Sequence, residues 1–217
     1  MMTSEMQRTT MIDGQILPNK VTDPRVISAL GETPREAFVP KALRSVAYID
    51  EDLEIGADRY LMEPMVFARL VEAAEITADD LVLDVGSNLG YSAAILAKLA
   101  SSLVGVDSDG EMVAQANANL LKLEIGNAAV VEGVMQEGVE KEAPFNVIFL
   151  NGCVEYIPQA LIDQLAEGGR MVGVRMENGL GRGFLGVKSG GIFGVEDFMD
   201  ANVPMLPGFA ETKKFEF

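Results

Sequence analysis

The stretch that most constrains this chain runs from Leu81 to Tyr91, Leu-Val-Leu-Asp-Val-Gly-Ser-Asn-Leu-Gly-Tyr, and continues into Ser92–Ala100. A short apolar run broken by a single acid, Asp84, reads as a buried parallel strand. Gly86 and Gly90 then make a tight turn, and an alanine- and leucine-rich helix follows. Strand, turn and helix aim several backbone N–H groups and a positive helix end at one point. About twenty residues on, a second apolar run, Leu103–Val106, ends in Asp107, an acid able to accept hydrogen bonds from a ribose. Together these make a nucleoside-binding half-site. The plainer alternative is a strand-to-helix turn without a ligand, with Asp107 capping the next helix.

Around this stretch strands alternate with helices, which predicts an α/β fold with a doubly wound, mostly parallel sheet. Pro64 opens a helix whose Phe67, Leu70, Val71 and Ala74 form one apolar stripe. Further helices are expected around Met112–Leu123 and from Pro158 through Leu165 to Gly168-Gly169. Strands are expected at Ala128–Val131, Asn146–Leu150 and Arg170–Arg175. Phe184–Lys188, a Ser-Gly-Gly turn and Ile192–Val195 predict an antiparallel hairpin at the sheet edge, followed by a proline-bearing tail.

Toward the amino terminus, residues 11–20 read as a short apolar turn, and Thr22-Asp-Pro-Arg as the start of a helix. Another start follows at Thr33-Pro34. Ala47–Gly56, with four acids, reads as an exposed, extended link, and Ala57–Glu63 as a loop. The organisation expected is one domain over 1–217. It has a helical extension over 1–56, a core over 57–175, and a hairpin and tail over 176–217.

Composition narrows the chemistry. No run approaches the roughly 18 apolar residues of a membrane span, and no basic-then-apolar segment opens the sequence, so a cytoplasmic location is the expectation. The one cysteine, Cys153, rules out an internal disulfide and a cysteine-cluster metal site; it reads as a small buried hydrophobe rather than a nucleophile. With no histidine, the usual general base and the Ser-His-Asp triad are absent. A net charge of −16 argues against nucleic acid, whose binding depends on Lys and Arg.

The turn decides which nucleoside cofactor is implied. The dinucleotide fingerprint asks for glycine at positions held here by Gly86, Asn88 and Tyr91, so one of three matches. The turn is similar instead to the first motif of the seven-stranded S-adenosylmethionine (SAM) methyltransferases, with Asp84, Gly86 and Gly90 in place and Asn88 for the middle glycine. Asparagine tolerates positive φ best among non-glycine residues. Beyond it, Pro34-Arg35-Glu36-x-Phe38-Val39-Pro40, Ala47-Tyr48-x-Asp50, the Ile55-Gly56 to Pro64 loop, Ala143-Pro144-Phe145 and Gln164-Leu165-x-x-Gly168-Gly169 stand in order. In that set the chain resembles the protein-L-isoaspartate O-methyltransferase family, over most of its length.

The resemblance implies a SAM-dependent carboxyl O-methyltransferase that repairs isoaspartyl residues in peptides and proteins. It implies SAM, or its demethylated product S-adenosylhomocysteine (SAH), held by Asp84, Gly86, Ser87, Asn88, Gly90, Asp107, Ser108, Gly133, Val134 and Asn151. Tyr60, Leu61 and Met62 fall at the acceptor side, and no metal is implied. The chemistry suits a histidine-free chain, since a carboxylate is already an anion at neutral pH.

Four positions depart from the family pattern. Met62 stands where the family has a serine hydroxyl, and a thioether cannot donate a hydrogen bond. Val134 replaces the acid that faces the adenine amino group, Asn146 replaces an aspartate, and Asn88 replaces glycine. Three readings stay open: an active isoaspartyl methyltransferase, one with another acceptor, or a non-catalytic member that binds SAM, SAH or a partner. Met62 equally fits a core plug, and Asn151-Gly152-Cys153 fits either a ligand edge or a plain turn.

Overall fold

The computed structural model describes residues 3–211 of the 217. Helix α1 (Ser4–Met11) is capped by the Thr3 hydroxyl, which accepts from the Met6 N–H at 3.2 Å. It continues through a π-turn over Ile12–Ile16 and a 3-10 turn over Leu17–Asn19, ending where Lys20 takes a positive φ of 63°. The short turn expected at 11–20 is therefore part of a long helical run. Met11, Ile12 and Ile16 share its inner face and are buried, and that packing overrides the local signals of Gly14 and Pro18. Helix α2 (Pro24–Glu32) starts as its sequence suggests, with the Asp23 side chain accepting from the Arg25 N–H at 2.8 Å.

Residues 47–63 also differ from expectation. Ala47 and Tyr48 are buried rather than exposed. Strands β1 (Leu53–Gly56) and β2 (Arg59–Leu61) then form a two-stranded antiparallel sheet where a link and a loop were expected. Leu53 and Ile55 alternate inward on β1, and Asp58 supplies a positive φ of 54° at the turn. Helix α3 (Pro64–Ala74) follows, burying Phe67, Leu70, Val71 and Ala74 as the stripe requires.

The main sheet is built from β3 (Leu81–Val85), then α4 (Tyr91–Leu99), β4 (Ser102–Asp107), α5 (Gly110–Lys122) and β5 (Ala128–Glu132). After these come β6 (Phe145–Val154), α6 (Gln159–Asp163), β7 (Leu165–Glu177), β8 (Leu180–Ser189) and β9 (Ile192–Asp200). The strand order is β5-β4-β3-β6-β7-β8-β9, parallel from β5 to β7 and antiparallel through β8 and β9. The hairpin expected at 184–195 is the β8–β9 turn, where Gly190 and Gly191 both have positive φ. Helix α6 is shorter than expected: Leu165 is already in β7, and Gly168-Gly169 lie in a register shift of that strand rather than ending a helix.

Alternation along the strands divides the core between the two faces of the sheet. Val82, Val147 and Phe149 pack with α1 to α4, whereas Leu83, Val85, Ile148 and Leu150 pack with Leu161, Leu206 and Phe209. The chain reverses its winding between β3 and β6, so the crevice for a ligand in this architecture opens beyond the carboxyl ends of those two strands.

Candidate cofactor and acceptor site

The turn after β3 has the backbone its sequence demands. Gly86, Asn88 and Gly90 have positive φ of 81°, 51° and 91°, so asparagine does hold the left-handed position. Several hydrogen bonds fix the turn from behind. The Ser87 hydroxyl donates to the Asp84 carbonyl at 3.0 Å. The Asn151 amide donates to the Gly86 carbonyl at 3.1 Å and to the Ser92 hydroxyl at 2.8 Å. Ser92 in turn donates to the Asp84 carboxylate at 2.7 Å. Asp84 is wholly buried, its other oxygen has no partner, and burial pushes its pKa up to about 7. Asp84, Ser87 and Gly90 thus shape the turn from beneath; they do not line the cavity above it.

Asp107 lies at the end of β4 and is fully buried. Its carboxylate accepts from the backbone N–H of Asn88 at 2.9 Å and of Asp109 at 3.0 Å. The guanidinium of Arg59, from β2, closes on the same carboxylate as a buried ion pair. Burial raises the Asp107 pKa and the Arg59 charge opposes that rise. Helix capping is done instead by Asp109, whose side chain accepts from the Glu111 and Met112 N–H groups. The second nitrogen of the Arg59 fork points to the Met135 sulfur at 3.8 Å.

Seven of the implied site residues line two recesses. Tyr60, Met62, Asn88 and Asn151 line a cavity of only about 20 Å³ above the turn, together with Arg59, Gly152 and Leu206. Ser108, Gly133 and Val134 line an open groove with Glu132, Gln136 and Pro207. Val134 is 52% exposed there, and the Gly133 N–H is tied to the Asp107 carbonyl at 2.9 Å. Leu61 is buried and lines neither recess. Met62 is buried against the small cavity, and its carbonyl accepts from the fully buried Arg35 at 2.6 Å. It therefore both plugs the core and lines the small cavity. Asn146, the altered family aspartate, accepts from the Leu81 N–H at 2.8 Å, which ties two strands together. Cys153 is buried with its thiol pKa pushed up to about 11 by burial, as fits a hydrophobe rather than a nucleophile.

Two elements of the site are missed by sequence reasoning. One is Arg59, which sits in what reads as a loop. The other is the tail, Val203–Phe209, which reads only as proline-bearing. Leu206 lies directly on the turn: a Cβ added at Gly86 would stand 2.6 Å from Leu206 Cδ1, and one at Gly152 would stand 3.0 Å from Leu206 Cβ. The signal available was Leu206 and Phe209 bracketing Pro207-Gly208, apolar side chains that must be buried somewhere.

A seven-stranded α/β sheet with an acid–glycine turn at its reversal point defines the SAM-dependent methyltransferase class. Within that class, residues 6–179 match the family described as Protein-L-isoaspartate(D-aspartate) O-methyltransferase (PCMT). Protein-L-isoaspartate O-methyltransferase 2 of Anaeromyxobacter sp. (strain Fw109-5) is 38% identical over 170 residues, covering 78% of this chain and 70% of that relative. The Koribacter versatilis (strain Ellin345) protein-L-isoaspartate O-methyltransferase is 40% identical over 167 residues, covering 77% and 75%. The chain belongs to the protein-L-isoaspartate O-methyltransferase family, whose members are SAM-dependent carboxyl O-methyltransferases.

Two solved structures share the fold. One protein-L-isoaspartate O-methyltransferase superposes with a TM-score of 0.81 at 24% identity, covering 95% of this chain and 66% of that one. A Plasmodium falciparum protein of the same family name, solved in complex with SAH, gives 0.76 at 18%, covering 91% and 96%.

The recess directly over the turn does not admit SAM in this conformation, whereas the groove lined by Ser108, Gly133 and Val134 is larger, about 610 Å³. Small-molecule pockets run to about 300 Å³ and more, while the cavity over the turn has room for about one water molecule. The carboxylate that would meet a ribose already has three donors, and Leu206 lies against the glycine that a cofactor would approach.

Proposed function

We propose that this chain is a carboxyl O-methyltransferase that takes SAM as donor and an isoaspartyl carboxylate of a peptide or protein as acceptor. Membership of the family carries the reading, together with relatives near 40% identity that bear that name. The retained Gly86–Gly90 turn and Asp107 support it, as does an acceptor that needs no histidine to become a nucleophile. On this reading Tyr60 and Met62 border the acceptor, whereas Leu61, expected there too, is buried away from the cavity. Ser108, Gly133 and Val134 border the adenosine end, and Asn151 with the turn borders the remainder. The chain acts as one unit, with residues 1–56, 57–175 and 176–217 as its helical extension, core, and hairpin and tail. The reading extends to a cytoplasmic setting, in keeping with a lone buried cysteine, and to protein rather than nucleic-acid partners, in keeping with the charge of −16. Among the described residues no helix is long and apolar enough to cross a membrane.

A second reading, a non-catalytic member, is supported by one observation: Arg59 is paired with Asp107 and Leu206 lies against Gly86. Methanol release from an isoaspartyl peptide, with its aspartyl twin as control, separates the two. Release specific to the isoaspartyl form supports the first. Absence of release, together with absence of SAH binding at millimolar concentration, supports the second.

A further inference from the structure

Strand β6 outruns its neighbour. Its pairing with β3 ends at Val85 and Leu150, yet β6 continues to Val154, paired on its other side with β7. Residues 151–154 would thus present an edge of unpaired backbone groups directly over the Gly86 turn, and buried backbone polar groups require partners.

The tail supplies them. The Cys153 N–H donates to the Pro204 carbonyl at 2.9 Å, and the Leu206 N–H donates back to the Cys153 carbonyl at 2.8 Å, forming a parallel bridge between Cys153 and Met205. Farther along, the Glu155 N–H donates to the Phe209 carbonyl at 3.0 Å, and Gln136 Nε2 donates to the Gly208 carbonyl at 2.6 Å. Phe209 is fully buried beside Tyr156 and Leu206 is nearly so. Two glycines, Gly86 and Gly152, leave bare backbone on both sides of the crevice, and the Leu206 side chain occupies the space between them. On the other side of the crevice the Arg59 guanidinium takes the carboxylate of Asp107.

Resting on the SAM-donor reading above, we infer that Val203–Phe209 is an intramolecular strap that holds the cofactor's place, so that strap docking and SAM binding exclude one another. Leu206 stands in for ligand atoms over the turn, and Arg59 stands in for the hydroxyl donors at Asp107. Binding then requires the strap to leave the β6 edge and Arg59 to leave Asp107. The apparent affinity falls in proportion to the fraction of molecules that are open.

The test uses the full chain and SAH as probe, with calorimetry and amide hydrogen exchange. In the parent protein, saturating SAH should speed exchange at the Cys153, Glu155 and Leu206 amides, whose hydrogen bonds join the strap to residues 153–155. Leu206→Gly, and separately Arg59→Ala, should bind SAH at least tenfold more tightly than the parent. Equal affinity in parent and both variants, with those amides unchanged on binding, overturns the strap while leaving the methyltransferase reading in place. Failure of all three forms to bind millimolar SAH overturns both. The parent measurement stands by itself should either variant fail to fold.

Discussion

Replacing Arg59 by Leu tests the site's electrostatics most directly. The substitution keeps a bulky apolar stem at β2 but removes the side-chain cation paired with Asp107, a fully buried carboxylate. Two donors remain, the N–H groups of Asn88 and Asp109 at 2.9 and 3.0 Å. Two backbone hydrogen bonds to a charged acceptor contribute about 1.5–3 kcal/mol each and do not offset the cost of a buried charge that has lost its partner. Breaking a buried pair from one side costs about 3–5 kcal/mol, against the few tenths to 1 kcal/mol of an exposed pair.

For a chain of this size 1 kcal/mol moves the melting point by about 2–4 °C, so a fall of roughly 6–20 °C is expected. The loss should also depend on pH. Burial already raises the Asp107 pKa and Arg59 opposes that rise, so without Arg59 the folded-state pKa climbs further above its unfolded value. The destabilisation is then largest above the folded pKa and shrinks as pH falls and Asp107 takes up a proton. Urea unfolding of parent, Arg59→Leu, Asp107→Asn and the double variant at pH 8 and pH 5.5 measures both effects. A loss below 1 kcal/mol at pH 8, or one that grows as pH falls, would refute the buried-pair account.

Two further outcomes follow from particular side chains. Val134 is half-exposed in an open groove, so Val134→Asp should leave stability within about 0.5 kcal/mol of the parent, read by the urea midpoint; a loss above 2 kcal/mol would mean that the groove is closed in solution. Asp84 is a buried acid whose folded pKa, about 7, lies above its unfolded value. It therefore destabilises the fold above pH 7, by up to roughly 4 kcal/mol, and the cost is relieved as pH falls toward 4. The parent should gain stability between pH 8 and pH 6, and Asp84→Asn should show much less of that gain. An undiminished gain in the variant would assign the effect to other acids.

Much of this protein was legible because the signals are local. The strand, turn and helix at 81–100 follow from an apolar run, two glycines and a helix-forming segment. The asparagine at 88 could be assigned a left-handed conformation from its side chain alone, and its φ of 51° agrees. The alternation of strands and helices implied a parallel sheet, and the Gly190-Gly191 turn implied its antiparallel edge.

What only the tertiary structure decided are contacts between segments distant in the chain. Residues 11–20 became helical because Met11, Ile12 and Ile16 found a core to enter, and no local propensity announces that. Arg59 is 48 residues from Asp107 and belongs to a hairpin too short to leave a strong pattern. The tail reads as a loop because it is one locally. Its role comes from the longer reach of β6 beside β3, which leaves backbone groups that Pro204, Leu206 and Phe209 satisfy. A sequence displays the residues able to build a cofactor site; whether that site stands open depends on which of the chain's own groups reach it first, and this is set by long-range burial and hydrogen-bond demand.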